Sequence, residues 1–141
     1  MSCANSSGTE YSRIINTLKE CIIEVKMDIT RYKIIHKSCN KKSHQDIVKS
    51  IIIDKDSHLK ILKEIFKLAT GEDLHEKVLE EKTITSDTSN LIKLSIEKEF
   101  QFVILLKNLR FILPEPSVKQ AINAILIDQN LTINKLIYMN I

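Results

Sequence analysis

A lysine, two imidazole or amide side chains and several carboxylates interrupt otherwise apolar runs of this sequence. Asp54, Lys55 and His58 fall between Ile51 and Leu62. Glu99 lies between Ile96 and Val103, and Asp128, Gln129 and Thr132 lie between Ile125 and Leu136. Polar groups three or four residues apart on a helix project from one face. That is how metal sites and acid–base pairs are assembled inside helical proteins. Two looser groupings compete. Glu72-Asp73-Leu74-His75 spells Glu-x-x-His, but it follows Gly71, where a helix should end, and has no partner motif. Chance explains it better. His36, Cys39 and His44 supply three zinc-type donors around a turn, at a spacing that matches no established finger pattern. No Ser, His and Asp grouping indicates a triad. Cys3, Cys21 and Cys39 contain no CxxC pair and cannot all pair internally, so a reducing, cytoplasmic setting is expected. Cys21 sits beside an apolar seam and reads as a small buried hydrophobe.

These groups need a scaffold, and the chain of 141 residues is long enough for one core. Two glycines and two prolines are too few for an all-β sandwich or a Gly-rich phosphate loop. The absence of Trp and the 5% aromatic content argue against a stacking surface for single-stranded nucleic acid. The net charge of +3 is a mild excess; its densest stretch, Lys37 to Lys49, contains Asp46 and sits at a turn. No nucleic-acid partner is expected. The apolar runs, such as Phe102 to Leu106, are far below membrane-spanning length, so no membrane association is expected.

Helical periodicity organises the rest. Leu18, Ile22, Val25, Ile29 and Tyr32 form a first seam; Val48, Ile51, Lys55, His58, Leu62 and Ile65 a second. Ile92, Ile96, Glu99, Val103 and Leu106 form a third; Val118, Ile122, Ile125, Gln129, Thr132, Leu136 and Met139 a fourth. The expected architecture is an all-α four-helix bundle over 10–141, with helices at about 10–38, 44–70, 88–113 and 116–140 and a loose tail at 1–9. Ser43 is the expected cap of the second helix, Ser86 to Ser89 the start of the third, and Gly71 a left-handed cap. An offset of 74 residues lays the first half on the second without a gap: Leu18 falls on Ile92, Ile22 on Ile96, Ile51 on Ile125 and Asp54 on Asp128. Counting about 1.5 Å per residue from each turn puts Val25, Lys55, Glu99 and Gln129 at one level, with His58 and Thr132 beside them. The long polar stretch after Gly71 can run the length of the bundle, joining two helix hairpins by a crossover.

The run from Ile51 to Gly71, with Asp54-Lys55-Asp56-Ser57-His58 and a closing Thr70-Gly71, resembles the second helix of the ferritin-like superfamily, in particular the rubrerythrin-type domains. The resemblance covers about residues 10–140. It implies a bundle holding two iron or manganese ions through a Glu from each of two helices and a Glu-x-x-His from each of the others. Carried over by position, those ligands fall on Val25, Lys55, His58, Glu99, Gln129 and Thr132, so only His58 and Glu99 match. The supporting aspartates of the pattern fall on Asp54 and Asp128; by analogy Asp128 meets His58, while Asp54 faces Thr132 and has lost its partner. Two divalent ions beside one carboxylate and the ammonium of Lys55 would bury uncompensated positive charge. The expectation is therefore no cofactor, with Lys55 paired to Glu99 in the old metal position. Two function classes stay open. One is a non-catalytic domain acting by self-association or through a protein partner. The other is a metal-dependent oxidase, peroxidase or iron-handling protein with an atypical iron or manganese site. A homodimer through Ile34, Phe102 and Leu105 is the expected form of self-association.

Overall fold

The computed structural model describes residues 3–75 and 87–140, with side chains from residue 8 onward. They form four helices: α1 (Cys3–Ser38), α2 (Lys42–Thr70), α3 (Thr88–Ile112) and α4 (Pro116–Met139). No strand occurs among the described residues. The boundaries follow local chemistry. Gly71 adopts φ 76°, and its N–H donates to the Lys67 carbonyl at 2.7 Å, closing α2 in a conformation that strains any side chain. Asp87 caps α3 by accepting the Asn90 N–H at 2.8 Å. Pro116 opens α4, where its missing N–H costs nothing.

Two expected boundaries move. Ser43 does not cap α2, because the helix already begins at Lys42 after a three-residue connection. The Gln45 side chain donates to the Cys39 carbonyl at 2.9 Å and tightens that turn. The expected tail is also shorter: α1 begins at Cys3, since nothing in 3–9 breaks a helix and Gly8 costs only about 1 kcal/mol there. Further along, the Tyr11 hydroxyl donates to the Ala69 carbonyl at 3.0 Å, tying α1 to the end of α2. The middle of the expected crossover, 76–86, lies outside the described residues.

The hairpins repeat. α1 ends at Ser38 and α2 starts at Lys42; α3 ends at Ile112 and α4 starts at Pro116, each 74 residues later. Helix α1 packs on α2 and α3, and α4 packs on α3 and α2. One apolar cluster joins Leu18 to Ile29 of α1 with Leu62 to Phe66, Phe102 to Leu113 and Ile122 to Leu126. The other joins Tyr32 to Cys39 with Val48, Ile51, Leu91, Ile92, Leu136 and Met139. Helices α2 and α3 therefore run in the same direction, so the end of α2 and the start of α3 lie at opposite ends of the bundle. Between the two clusters lies a buried polar layer.

Candidate functional site

Lys55 of α2 is the centre of that layer and is fully buried. Its ammonium donates to Glu99 Oε2 and to Gln129 Oε1, both at 2.8 Å, and stands 3.2 Å from Asp28 Oδ2. Three N–H groups thus meet three oxygens, from α3, α4 and α1. The face of Phe102 closes the remaining side, 4.7 Å from Nζ to the ring centroid. Gln129 also donates through Nε2 to Glu99 Oε2. The Tyr32 hydroxyl donates to Glu99 Oε1 at 2.9 Å.

A second cation completes the layer. Arg31 donates from Nη2 to Asp28 Oδ1 at 2.7 Å and from Nε to Ser95 Oγ at 2.9 Å. The Ser95 hydroxyl in turn donates to the Leu91 carbonyl at 2.8 Å. Asp28, Arg31, Lys55 and Glu99 are all at most 2% exposed. With the four ionised, two positive charges balance two negative ones. Such balance matters, because an unpaired buried charge costs several kcal/mol.

The titration of the layer reflects its burial. Desolvation pushes the Glu99 carboxyl above the usual range and Asp28 adds to this, while Lys55 opposes it. Burial, with the negative charges of Glu99 and Asp28, holds the Tyr32 hydroxyl far above its ordinary value. Burial alone would lower the Arg31 guanidinium, but Asp28, Tyr32 and Glu99 together outweigh it and the net shift is upward.

His58 lies one turn further along α2 and is 1% exposed. Its Nε2 donates to Asp128 Oδ2 on α4 at 2.8 Å. An ionised carboxylate only accepts, so the neutral ring carries its proton on Nε2. Nδ1 is then a bare acceptor, and it is buried without a partner among the described residues, as is Thr132 Oγ1. Burial lowers the His58 pKa from 6.5; the hydrogen bond to Asp128 opposes this and the charge of Lys55 reinforces it. The neutral ring is thus favoured in the fold, and its contribution is full above pH 6.5 and declines as pH falls through the lowered folded value. Glu99 acts oppositely, since a raised carboxyl holds its proton more tightly when folded. Comparison with His58→Gln isolates the histidine. Urea unfolding at about pH 7.5 and about pH 5 should show wild type losing stability relative to the variant at the lower pH. An unchanged difference would refute the assignment.

The structure brings Lys55, Glu99 and Gln129 into mutual contact, and His58 onto Asp128. Val25 is buried in the apolar cluster beside them. Asp54 is not partnerless as expected: Lys135 Nζ lies 4.0 Å from its Oδ2 and donates to Ser50 Oγ at 3.0 Å. Lys135 follows Thr132 by three residues, so it reaches the face where a partner was sought. Phe102 is a clear correction. Expected outside, it is 2% exposed, because α3 turns Ser95, Glu99, Phe102 and Leu106 to the core. Ile34 and Leu105 are half-buried. Sequence reasoning missed Asp28, Arg31 and Ser95 altogether, and placed Tyr32 only as an apolar seam residue. The available signal was the i, i+3 spacing of Asp28 from Val25 and of Arg31 from Asp28.

The looser groupings do not assemble. Among the described residues, no three His, Cys, Asp or Glu side chains stand together as a metal-holding group. His44 instead packs edge-on against Tyr138, 6.5 Å between ring centroids. Glu72 and His75 are exposed beyond Gly71. Cys21 is buried, and burial together with Glu20 and Glu24 pushes its thiol up to about 12, so it is inert as a nucleophile. No helix among the described residues is long and apolar enough to cross a membrane.

No family model and no curated protein sequence matches the chain. A solved structure does: a two-domain protein from Anabaena variabilis containing DJ-1/ThiJ/PfpI-like and ferritin-like domains. The TM-score is 0.71 over 92% of this chain, at 11% identity. The fold is ferritin-like. The ferritin-like chain described here spans 36% of the length of that protein. At such low identity the likeness concerns the fold alone.

Proposed function

We propose that this ferritin-like domain works without a metal centre and acts through its surface, by self-association or by binding a protein partner. One observation carries the reading: the ammonium of Lys55 is held by Glu99, Gln129 and Asp28, and Lys55, Glu99 and Gln129 are positions onto which the ferritin-like resemblance carries its ion ligands. The residues present do not fit a pair of divalent ions. Two carboxylates are in reach, Glu99 and Asp28, and Lys55 and Arg31 already neutralise them. Four further positive charges would be buried uncompensated. His58 points one nitrogen at Asp128 and offers only Nδ1. The helix ending in Thr70-Gly71 supports the rubrerythrin type within ferritin-like folds, with the ion site degenerate. The free, buried thiols of Cys21 and Cys39 support a reducing, cytoplasmic setting.

Metal analysis tests this directly. Protein purified from iron- and manganese-supplemented medium should hold well below one metal per chain and show no ferroxidase or peroxidase activity. Stoichiometric metal with such activity would establish the metal-dependent class instead.

A further inference from the structure

The outward surfaces of the two hairpins differ. On α1 and α2 many exposed positions are charged, as at Lys33, Lys37, Lys49, Asp56, Lys60 and Lys63, and the large exposed apolar residues Tyr11, Ile53 and Leu68 form no continuous stripe. On α3 they include Phe100, Ile104 and Phe111, at 53%, 61% and 82% exposure. Scattered apolar residues on a surface need no explanation, but a contiguous strip does. Lys93, Glu97, Phe100, Ile104, Lys107 and Phe111 are all exposed and follow one another at spacings of four and three. They therefore form a single stripe with the alternation of a coiled-coil seam, turned away from the core of their own bundle.

The order of residues along that stripe is self-complementary. Phe100 and Ile104 lie two residues either side of Phe102, Glu97 and Lys107 lie five, and Lys93 and Phe111 lie nine. We propose that this face of α3 is a homodimer interface, in which a second copy lays its own α3 antiparallel across the first about a twofold axis at the level of Phe102. The proposal rests on the reading that the domain acts by self-association, and it names the surface. Phe100 then packs on Ile104 of the second copy, Glu97 pairs with Lys107, and Lys93 lies over Phe111; the twofold makes each contact twice. A parallel pairing would set Glu97 on Glu97 and Lys107 on Lys107, so charge selects the antiparallel form. The area is adequate. At about 200 Å² for a buried phenylalanine, Phe100 and Phe111 offer roughly 270 Å² per copy. Ile104, the lysine stems, and the exposed Ile127 of α4, which lines a groove with Lys107, extend this toward the roughly 600 Å² per copy of small specific interfaces.

Sedimentation velocity on the full chain tests it, from about 1 to about 300 µM. Wild type should dimerise in the micromolar range. Glu97→Lys and Lys107→Glu should each weaken dimerisation at least about tenfold, since each sets like charges opposite one another. An equal mixture of the two variants should recover a dimer, because the mixed pair has opposite charges at both contacts. Both positions are exposed, so helix content and unfolding midpoint should stay at wild-type values. Wild type that remains monomeric at the highest concentration overturns the proposal. So do variants that dimerise as tightly as wild type, or a mixture no tighter than its components. Metal content of the same samples separates the two readings: a metal-free monomer overturns the interface alone, and a metal-loaded dimer overturns only the metal-free function.

Discussion

Lys55→Met should destabilise the domain by about 3–5 kcal/mol, and adding Glu99→Gln should recover most of that loss. Methionine keeps the length and volume of the lysine stem, so packing against Phe102 changes little. What changes is the charge of the layer. Without the ammonium, Asp28 and Glu99 share one cation, Arg31, and Glu99 must either protonate or remain unpaired. In the double variant the Asp28–Arg31 pair is neutral by itself, and glutamine at 99 still accepts from the Tyr32 hydroxyl and exchanges hydrogen bonds with Gln129. Urea unfolding near neutral pH measures both. A coupling energy between the two positions above about 2 kcal/mol is expected. If Lys55→Met costs less than about 1 kcal/mol, or the second substitution recovers nothing, the layer is not an electrostatic unit.

The combined substitution Val25→Glu, Lys55→Glu, Gln129→Glu and Thr132→His should convert the layer into a site for two divalent ions. The 74-residue offset makes Val25 the counterpart of Glu99, Lys55 that of Gln129, and His58 that of Thr132. The four changes supply the missing ligand at each position and remove the competing ammonium. Metal content should rise from well below one per chain to about two, in manganese or iron. The apo variant should be markedly less stable, with five carboxylates, those at 25, 55, 99 and 129 and Asp28, crowded in the interior beside the single cation of Arg31. Manganese should stabilise it by about 2.7 kcal/mol for each bound ion at a hundredfold excess over its Kd, while leaving wild type unmoved. A folded variant that takes up no metal would show that these six side chains do not share a level in the way required.

The helices and their pairing were legible because apolar seams recur at helical spacing and because Gly71, Asp87 and Pro116 punctuate them. Lys55, Glu99 and His58 were legible because each interrupts such a seam, and Asp128 because the ferritin-like pattern has a supporting aspartate at that position. The other half of the layer was not. Asp28 and Arg31, three residues apart, look like an ordinary exposed ion pair on a helix, and only the tertiary packing puts them inside. Phe102 was misplaced for a different reason. Helix α3 is apolar on several sides, with Leu94, Phe100, Ile104 and Phe111 outside and Leu91, Phe102 and Leu106 inside. Its periodicity therefore fits more than one rotation, and the sequence favoured Ile96 and Val103 over Ser95 and Phe102. The polar residue at position 95 is buried with its hydroxyl accepting from Arg31 Nε.

The layer also governs how the four rods can slide. On either side of it, aliphatic side chains recur at such regular intervals that a helix displaced by one turn could repack. At the layer the same displacement, about 5.4 Å, would carry Lys55, Arg31 or Glu99 into hydrocarbon and strand the groups left behind. Only one longitudinal alignment escapes that penalty, so every outward-facing residue is presented at a defined height along the rod that bears it.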